Sequence, residues 1–163
     1  MREYPTQRVA FTIEREMVDN RWESHRWQLL GAVPDVGGEA RTIHEDDKRL
    51  QRLYPGFTVF LYPEEAEGYF LNVSSDEPSV FVSLRKDEAS GDFYPFQATL
   101  SYNEAARWMD GGERVERTLA WPELIVWMGQ WVEDNYRPEP KKRQRPKSFQ
   151  GKEGAFRKSG SNS

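Results

Sequence analysis

The sequence contains no cysteine and only two histidines in 163 residues. The absence of cysteine excludes disulfides, thiolate metal sites, iron–sulfur ligation and cysteine nucleophiles. His25 and His44 are too few to form a metal triad or an acid–base pair without other groups. Neither of the two Gly-Gly pairs combines a preceding apolar strand with the Lys or Ser of a phosphate-binding loop. We therefore predict no metal and no cofactor, and we expect a binding protein rather than an enzyme.

Long hydrophobic runs are also absent from the sequence. No stretch approaches the roughly 20 apolar residues of a membrane span, and the N-terminus shows no charged segment followed by an apolar run of secretory length. We therefore expect a cytoplasmic protein without a membrane span. The chain length suits one domain with a single core. Its 6 Trp, 7 Tyr and 9 Phe predict an aromatic-rich core.

The net charge of −4 is distributed unevenly along the chain. Residues 137–163 carry nine Lys or Arg against two Glu, a net charge of +7, which leaves −11 for residues 1–136. The prolines, lysines and small polar residues of this segment argue against packing. We therefore expect one globular domain over 1–136 and a flexible basic tail over 137–163.

The basic tail has a functional and a bland explanation. Its charge would attract an acidic protein surface or nucleic acid, or it could serve only as a solubilising appendage to an acidic domain. Trp22, which with Trp27 flanks His25, and Phe149 in the tail would add aromatic anchors, although large aromatics at a strand entrance such as Trp22 and Trp27 are more often core. The residues predicted to contact a partner are Trp22, Lys141, Lys142, Arg143, Arg145 and Phe149.

Hydrophobic periodicity predicts mainly strands. Three of them, with two connecting turns, occupy residues 57–85 and are expected to form the centre of the sheet. The polar segment 35–52 is predicted to be a mobile loop that ends in a short helical turn. Pro95 lacks an amide hydrogen and therefore places its strand at an edge. Strands are predicted over residues 8–18, 26–33, 57–62, 69–73, 80–85, 93–100 and 115–119.

Two helices are predicted near the C-terminal end of the domain. Ser101 and Glu104 have the spacing of a capping box that opens a short helix. From Trp121 to Tyr136 the apolar residues recur at helical spacing, with Pro122 in the first turn. The predicted fold is α+β: an antiparallel sheet of six to seven strands forming a roll or small barrel, with a short helix and a packed C-terminal amphipathic helix. A pleckstrin-homology-like order of elements would fit, as an analogy of fold only.

The predicted central strands have two faces of different character. One face is uniformly apolar, whereas the other is aromatic with polar interruptions. The second face needs either the C-terminal helix as a cover or a ligand. If it lies open, Tyr62, Asn72 and Arg85 would bind a small anionic molecule such as a pterin or nucleotide. The run from His44 to Asp47 offers oxygen ligands, but it lacks the ligand spacing of a calcium loop, so a solvated charge run is favoured.

Several segments together resemble DUF3305, a bacterial family of unknown function. The resemblance rests on the region around Trp22 and Trp27, and on LYPEEAEGYFLN at 61–72, EPSVFV at 77–82 and SYNEAARWMDG at 101–111. Members of the family tend to be encoded beside molybdenum- or tungsten-dependent formate dehydrogenases. The resemblance therefore implies a non-enzymatic accessory or protein-binding module, with a formate dehydrogenase component as the possible partner.

Two alternatives to the accessory role stay open. The first is a protein or enzyme that binds a small anionic ligand on the polar-aromatic face. The second is nucleic-acid binding through the tail, which the acidic domain disfavours. The sequence predicts no oligomeric state.

Overall fold

The structure is a computed structural model that describes residues 3–19 and 24–138. Seven strands and three α-helices are formed over these ranges, and a 3₁₀ turn, Pro63–Glu65, precedes the first helix. The strands are β1 Thr6–Met17, β2 His25–Pro34, β3 Arg41–Glu45, β4 Arg49–Phe60, β5 Ser79–Lys86, β6 Phe93–Thr99 and β7 Arg114–Leu119. The helices are α1 Ala66–Val73, α2 Tyr102–Asp110 and α3 Pro122–Asn135.

The strands form two antiparallel sheets. One has the order β2-β1-β4-β3 and the other the order β6-β5-β7. The predicted α+β class and the antiparallel pairing are confirmed. The prediction of a single sheet of six to seven strands forming a roll or small barrel is wrong, because over the described residues the strands divide into four and three and do not close.

Side-chain hydrogen bonds join the two sheets at the edge where a closed barrel would have two strands paired through their backbones. The edges of β2 and β7 lie next to each other, and Glu116 accepts a hydrogen bond from the amide of Leu29 at 3.1 Å. Arg114 donates to the carbonyl oxygen of Trp27 at 2.8 Å. These two contacts satisfy backbone groups of β2 without a backbone ladder. At the opposite side, β4 and β6 are adjacent but belong to different sheets.

The core lies between the sheets and under the helices. Val9 and Phe11 of β1 and Val80 and Val82 of β5 are fully buried in it. Helix α3 adds its buried stripe, Leu124, Met128 and Val132. This helix packs on α1, where the rings of Tyr69 and Trp131 meet edge to face with centroids 5.5 Å apart. The predicted amphipathic C-terminal helix and its packing are confirmed.

The segment 69–73 is helical, so the prediction of three consecutive strands over 57–85 is wrong. Tyr69, Leu71 and Val73 alternate as in a strand, but Leu71 is 38% exposed while Tyr69 and Asn72, three residues apart, are buried. That spacing belongs to a helix. Pro63 and the acidic residues that follow it provide a helix start that the alternation concealed.

The segment 35–52 is also not the predicted mobile loop. It contains β3, whose side chains are all exposed, and the beginning of β4. Asp46 holds the intervening turn, because its carboxylate accepts the amides of Lys48 and Arg49 at 2.9 and 2.8 Å and contacts His44 Nε2 at 2.9 Å. The amide of Arg49, followed by the contacts from His44 and Lys48, lowers the pKa of Asp46 to about 2. The His44–Asp47 run thus comprises the last two residues of β3 and the start of the β3–β4 turn.

Several local predictions are confirmed. β6, which contains Pro95, is an edge strand of its sheet. Ser101 caps α2 by accepting the amide of Glu104, and Trp27 packs partly buried against the core. Within the described ranges, none of the helices has both the length and the apolar character required to span a bilayer. The predicted division into a domain over 1–136 and a tail over 137–163 stays a prediction, because the described residues end at 138.

Candidate functional site

A cleft of about 490 Å³ opens between the C-terminal half of β4 and β6. Helix α2 forms one wall and Tyr69 of α1 contributes from below. We call it the β4–β6 cleft. The lining residues that define it chemically are Phe60, Tyr62, Tyr69, Phe96, Glu104 and Trp108.

The β4–β6 cleft lies between two strand edges. β3 pairs with β4 only at Leu50–Leu53, so residues 54–60 of β4 have a ladder with β1 alone. β6 pairs with β5 on one side only. Strand edges of this kind present backbone amide and carbonyl groups that can pair with a further chain.

A bulge follows the residues of β4 that pair with β3. Pro55 and Gly56 interrupt the register between β1 and β4, and Gly56 has φ +96°, a conformation that favours glycine. Its amide donates to Asp35 Oδ2 at 2.9 Å. The amides of Gly37 and Gly56 keep the pKa of Asp35 below its usual value. The rim of the cleft is therefore fixed by a hydrogen-bonded bulge.

Aromatic side chains dominate the lining. Phe60 and Phe96, which face the cleft from β4 and β6, are 36% and 43% exposed. Phe60 stacks on Tyr62 with the ring centroids 5.2 Å apart and an interplanar angle of 12°. Tyr4 packs edge to face on Tyr62 at 4.8 Å. Exposed apolar groups at a concave site are typical of a surface that receives a ligand or partner.

Tyr69 fixes the end of β4 at the base of the cleft. Its hydroxyl donates to the carbonyl oxygen of Phe60 at 2.9 Å and accepts the amide of Tyr62 at 3.0 Å. Burial raises the pKa of Tyr69 and also that of Tyr62, which the carboxylate of Glu104 raises further. Both phenols are therefore neutral at neutral pH and supply hydrogen bonds and ring faces rather than a base.

The charged group on the wall of the cleft is Glu104. Its carboxylate accepts the hydroxyl of Thr99 at 2.5 Å, and Thr99 Oγ1 accepts the amide of Ser101 at 3.0 Å. Among the described residues that line the cleft, none is a Lys or an Arg. A carboxylate beside ring faces suits a cationic group, since cations are attracted to the faces of Trp, Tyr and Phe.

A tight junction between α1 and α2 positions that wall. Ser101 Oγ donates to Glu65 Oε1 at 2.6 Å, and Arg107 pairs with the other oxygen of Glu65. Gly68 permits this approach, because a Cβ there would lie 2.0 Å from Ser101 Oγ. The junction therefore holds Trp108, which follows Arg107 on α2, against the cleft.

The structure separates the three residues predicted to bind a small anion. Tyr62 lines the cleft. Asn72 is fully buried, and its side chain donates to the carbonyl oxygens of Ser79 and Leu100 and accepts the amide of Ser79, all within 2.9 Å. Its amide group is thus occupied by the backbone, which gives Asn72 a structural role.

Arg85 lies over the ring of Phe96 at 3.6 Å and is bound to Glu113 at 2.6 Å. The hydrogen bond between them raises the pKa of Arg85 and lowers that of Glu113. Its charge is therefore neutralised beside the cleft. The predicted partner residues Trp22, Lys141, Lys142, Arg143, Arg145 and Phe149 lie outside the described residues.

Sequence reasoning missed Phe96, Glu104 and Trp108 as site residues. Glu104 was assigned only to the helix cap and Phe96 only to an edge strand. An edge strand with an exposed aromatic residue directly after Pro95 was the pattern that could have revealed the site. Within the described ranges, no group of three or more His, Cys, Asp or Glu is placed to hold a metal.

Comparison with protein families gives a match that covers the site. Residues 8–145 match the family model described as a protein of unknown function, DUF3305. No curated protein and no solved structure matches the chain. The matched range includes both sheets except the first two residues of β1, all three helices and the whole β4–β6 cleft. The chain therefore belongs to the DUF3305 family, whose function is unknown.

Proposed function

We propose that this protein is a non-enzymatic binding module that holds an extended, positively charged segment of a protein partner in the β4–β6 cleft. The observation that carries the proposal is the coincidence of two strand edges, exposed aromatic rings and a carboxylate in one concave site. Each of these features selects the same type of ligand by a different interaction.

The strand edges select an extended backbone. A peptide laid along residues 54–60 of β4 or along β6 would find amide and carbonyl groups that have a ladder on one side only. Addition of a strand to a sheet edge is a common mode of peptide recognition, in which backbone hydrogen bonds supply affinity and side-chain pockets supply specificity. The fixed bulge at Gly56 keeps this edge in one conformation, which reduces the ordering cost of binding.

The lining selects the side chains of the ligand. Glu104 would pair with a Lys or Arg of the segment, and the rings of Trp108 and Phe60, with the part of Phe96 that Arg85 leaves exposed, would cover its alkyl chain or an adjacent aromatic residue. A cation over such a ring contributes about 0.5–2 kcal/mol, depending on its exposure to water. An anion is disfavoured in the cleft because the lining carries the negative charge of Glu104 and the electron-rich faces of aromatic rings.

The family resemblance makes a component of a molybdenum- or tungsten-dependent formate dehydrogenase the first partner to test. The protein would then act as an accessory in maturation or assembly. The alternative of a pterin or nucleotide ligand has less support. The carboxylate of Glu104 in the cleft would repel an anion, and the three residues predicted to bind that ligand, Tyr62, Asn72 and Arg85, are not brought together. Nucleic-acid binding by the tail stays a prediction, and a steep loss of affinity with salt would test it.

A pair of short peptides tests the charge preference directly. The isotope-labelled full chain is titrated with acetyl-Lys-Phe-Lys-amide and, in parallel, with acetyl-Glu-Phe-Glu-amide, and shifts are followed by NMR. We expect the cationic peptide alone to shift the Trp108 indole and the amides of Phe60 and Phe96. Equal responses to both peptides, or shifts confined to another surface, would contradict the proposal.

Two matched variants locate the binding. Phe96→Ala should lower the affinity for the cationic peptide by about tenfold, because loss of an aromatic anchor at a binding site costs more than about 1 kcal/mol of binding free energy. Val126→Ala, at a residue of α3 that is 69% exposed, should leave the affinity unchanged. An unchanged affinity in Phe96→Ala would remove the cleft from the mechanism.

A further inference from the structure

We propose that residues 139–163 of this chain bind in the β4–β6 cleft of the same molecule and compete there with the partner segment. The inference rests on the proposed function, because it assigns to the cleft an internal ligand of the same chemistry. Three independent observations favour this occupant: its charge, the place where it leaves the fold and its sequence.

Charge complementarity is the first observation. Residues 139–163 carry eight Lys or Arg against two Glu, a net charge of +6, which leaves −10 for residues 1–138. The cleft displays the carboxylate of Glu104 without a lining Lys or Arg among its described residues. The most basic segment of the chain is thus attached to an acidic domain whose concave site selects a cation.

The second observation is where the segment begins. Helix α3 ends at Asn135, and the ring of Tyr136 lies 5.1 Å from that of Phe70 on α1. The neighbour of Phe70, Tyr69, lines the cleft. The segment therefore starts beside the helix that forms the base of the cleft, and an extended chain covers about 3.3 Å per residue. The residues between Pro138 and Pro146 form a short tether, and a short tether gives the attached segment an effective concentration on the order of millimolar at the cleft.

The third observation is the order of residues in the segment. Phe149 lies between Lys147 and Lys152, and Phe156 directly precedes Arg157 and Lys158. An aromatic residue beside a basic one is the combination for which the cleft offers ring faces and a carboxylate. Prolines at 138, 140 and 146 confine an added strand to the part that follows Pro146.

A single spin label in the full chain tests the inference. Because the sequence contains no cysteine, Ser148→Cys gives one attachment site for a nitroxide beside Phe149. We expect the nitroxide to broaden the NMR signals of the Trp108 indole and of the amides of Phe96 and Ala98. Excess acetyl-Lys-Phe-Lys-amide should restore these signals, whereas acetyl-Glu-Phe-Glu-amide should not.

The matched control keeps the label and removes charge. In the same Ser148→Cys chain, substitution of Lys147 and Lys152, which flank Phe149, by Gln should reduce the broadening severalfold, and so should high salt. Broadening that is absent, centred elsewhere or unaffected by these changes would overturn the inference. The peptide titration of the unlabelled chain would still report on the proposed function, so the two failures are distinguishable.

A mixing experiment separates binding in one molecule from binding between copies. An isotope-labelled chain without nitroxide is mixed with an unlabelled chain that carries the nitroxide. The inference predicts sharp cleft signals in this mixture, because each cleft is occupied by its own segment. If the broadening equals that seen when one chain carries both the isotope label and the nitroxide, the segment of a second copy binds in the cleft. That result would overturn the assignment to the same molecule.

Discussion

Adding one methyl group at either of two helical glycines should change the stability of the fold in opposite directions. Gly68 lies in α1 and Gly129 in α3. A Cβ at position 68 would lie 2.0 Å from Ser101 Oγ, 3.0 Å from Ser101 Cβ and 3.1 Å from the amide nitrogen of Asn103. At position 129 the nearest atom would be Val73 Cγ2 at 3.5 Å, an ordinary contact.

The magnitudes follow from three effects. Replacing a helical Gly by Ala gains up to about 1 kcal/mol of helix propensity in both variants. At position 68 this gain is opposed by overpacking, which costs about 1–3 kcal/mol, and by displacement of the Ser101 cap, which costs about 1 kcal/mol. We therefore expect Gly68→Ala to lower the free energy of unfolding by about 1–3 kcal/mol, and Gly129→Ala to raise it by up to about 1 kcal/mol.

Urea unfolding followed by tryptophan fluorescence measures both changes. A double variant with Ser101→Ala should recover only part of the loss caused by Gly68→Ala, because Ser101 Cβ and the backbone of Asn103 stay close. Equal stabilities of Gly68→Ala and Gly129→Ala would refute the reasoning, since the close approach of α1 to α2 would then impose no constraint.

Three other predictions concern single side chains. Asn72→Leu should lower the free energy of unfolding by about 3 kcal/mol or more, because backbone groups of Ser79 and Leu100 lose their buried partner; a loss below about 1 kcal/mol would count against its structural role. Tyr69→Phe should cost about 1–2 kcal/mol at neutral pH. Since the pKa of Tyr69 is raised in the folded state, the parent should lose stability as pH rises above 10.0, and the variant should lose less in the same urea assay. The pKa of Asp46 is lowered from 3.8 to about 2, so its stabilisation of the β3–β4 turn is present above pH 3.8 and lost as pH falls through about 2. NMR of the Asp46 carboxyl group should show a titration midpoint near 2, and a midpoint near 3.8 would contradict this prediction.

The elements that were predicted correctly carry strong local patterns. β1 has Val9, Phe11 and Ile13 at alternate positions, and α3 combines Pro122 with an apolar stripe. The start of α2 follows from Ser101, whose hydroxyl accepts the amide of Glu104 as the capping pattern requires. In these segments the interactions that decide the structure lie within a few residues of each other, so the sequence displays them.

The elements that were predicted wrongly depend on contacts between distant residues. α1 is only eight residues long, and its alternating Tyr69, Leu71 and Val73 match a strand, whereas the helix depends on contacts such as those of Asn72 with β5 and with the residue after β6. β3 has no buried residue, so no apolar pattern could reveal it. The contact between the two sheets is made by Glu116 and Arg114, which reach β2 over 87 positions of the chain.

The β4–β6 cleft was not predictable for the same reason. Its two edges come from strands that belong to different sheets, and its carboxylate comes from a helix cap. Only Tyr62 among the predicted ligand residues lines it. Composition did indicate an acidic domain with a basic segment, which is the asymmetry that the proposed competition would use.

The most direct test of the central claim is photocrosslinking from the cleft inside cells. Full-length chain with p-benzoylphenylalanine in place of Phe96 is irradiated, and the crosslinked segment is sequenced by mass spectrometry; the same group in place of Val126 is the control. The account predicts adducts from position 96 alone, to a segment in which Lys or Arg adjoins an aromatic residue. Equal adducts from both positions, or adducts to acidic segments, would contradict it.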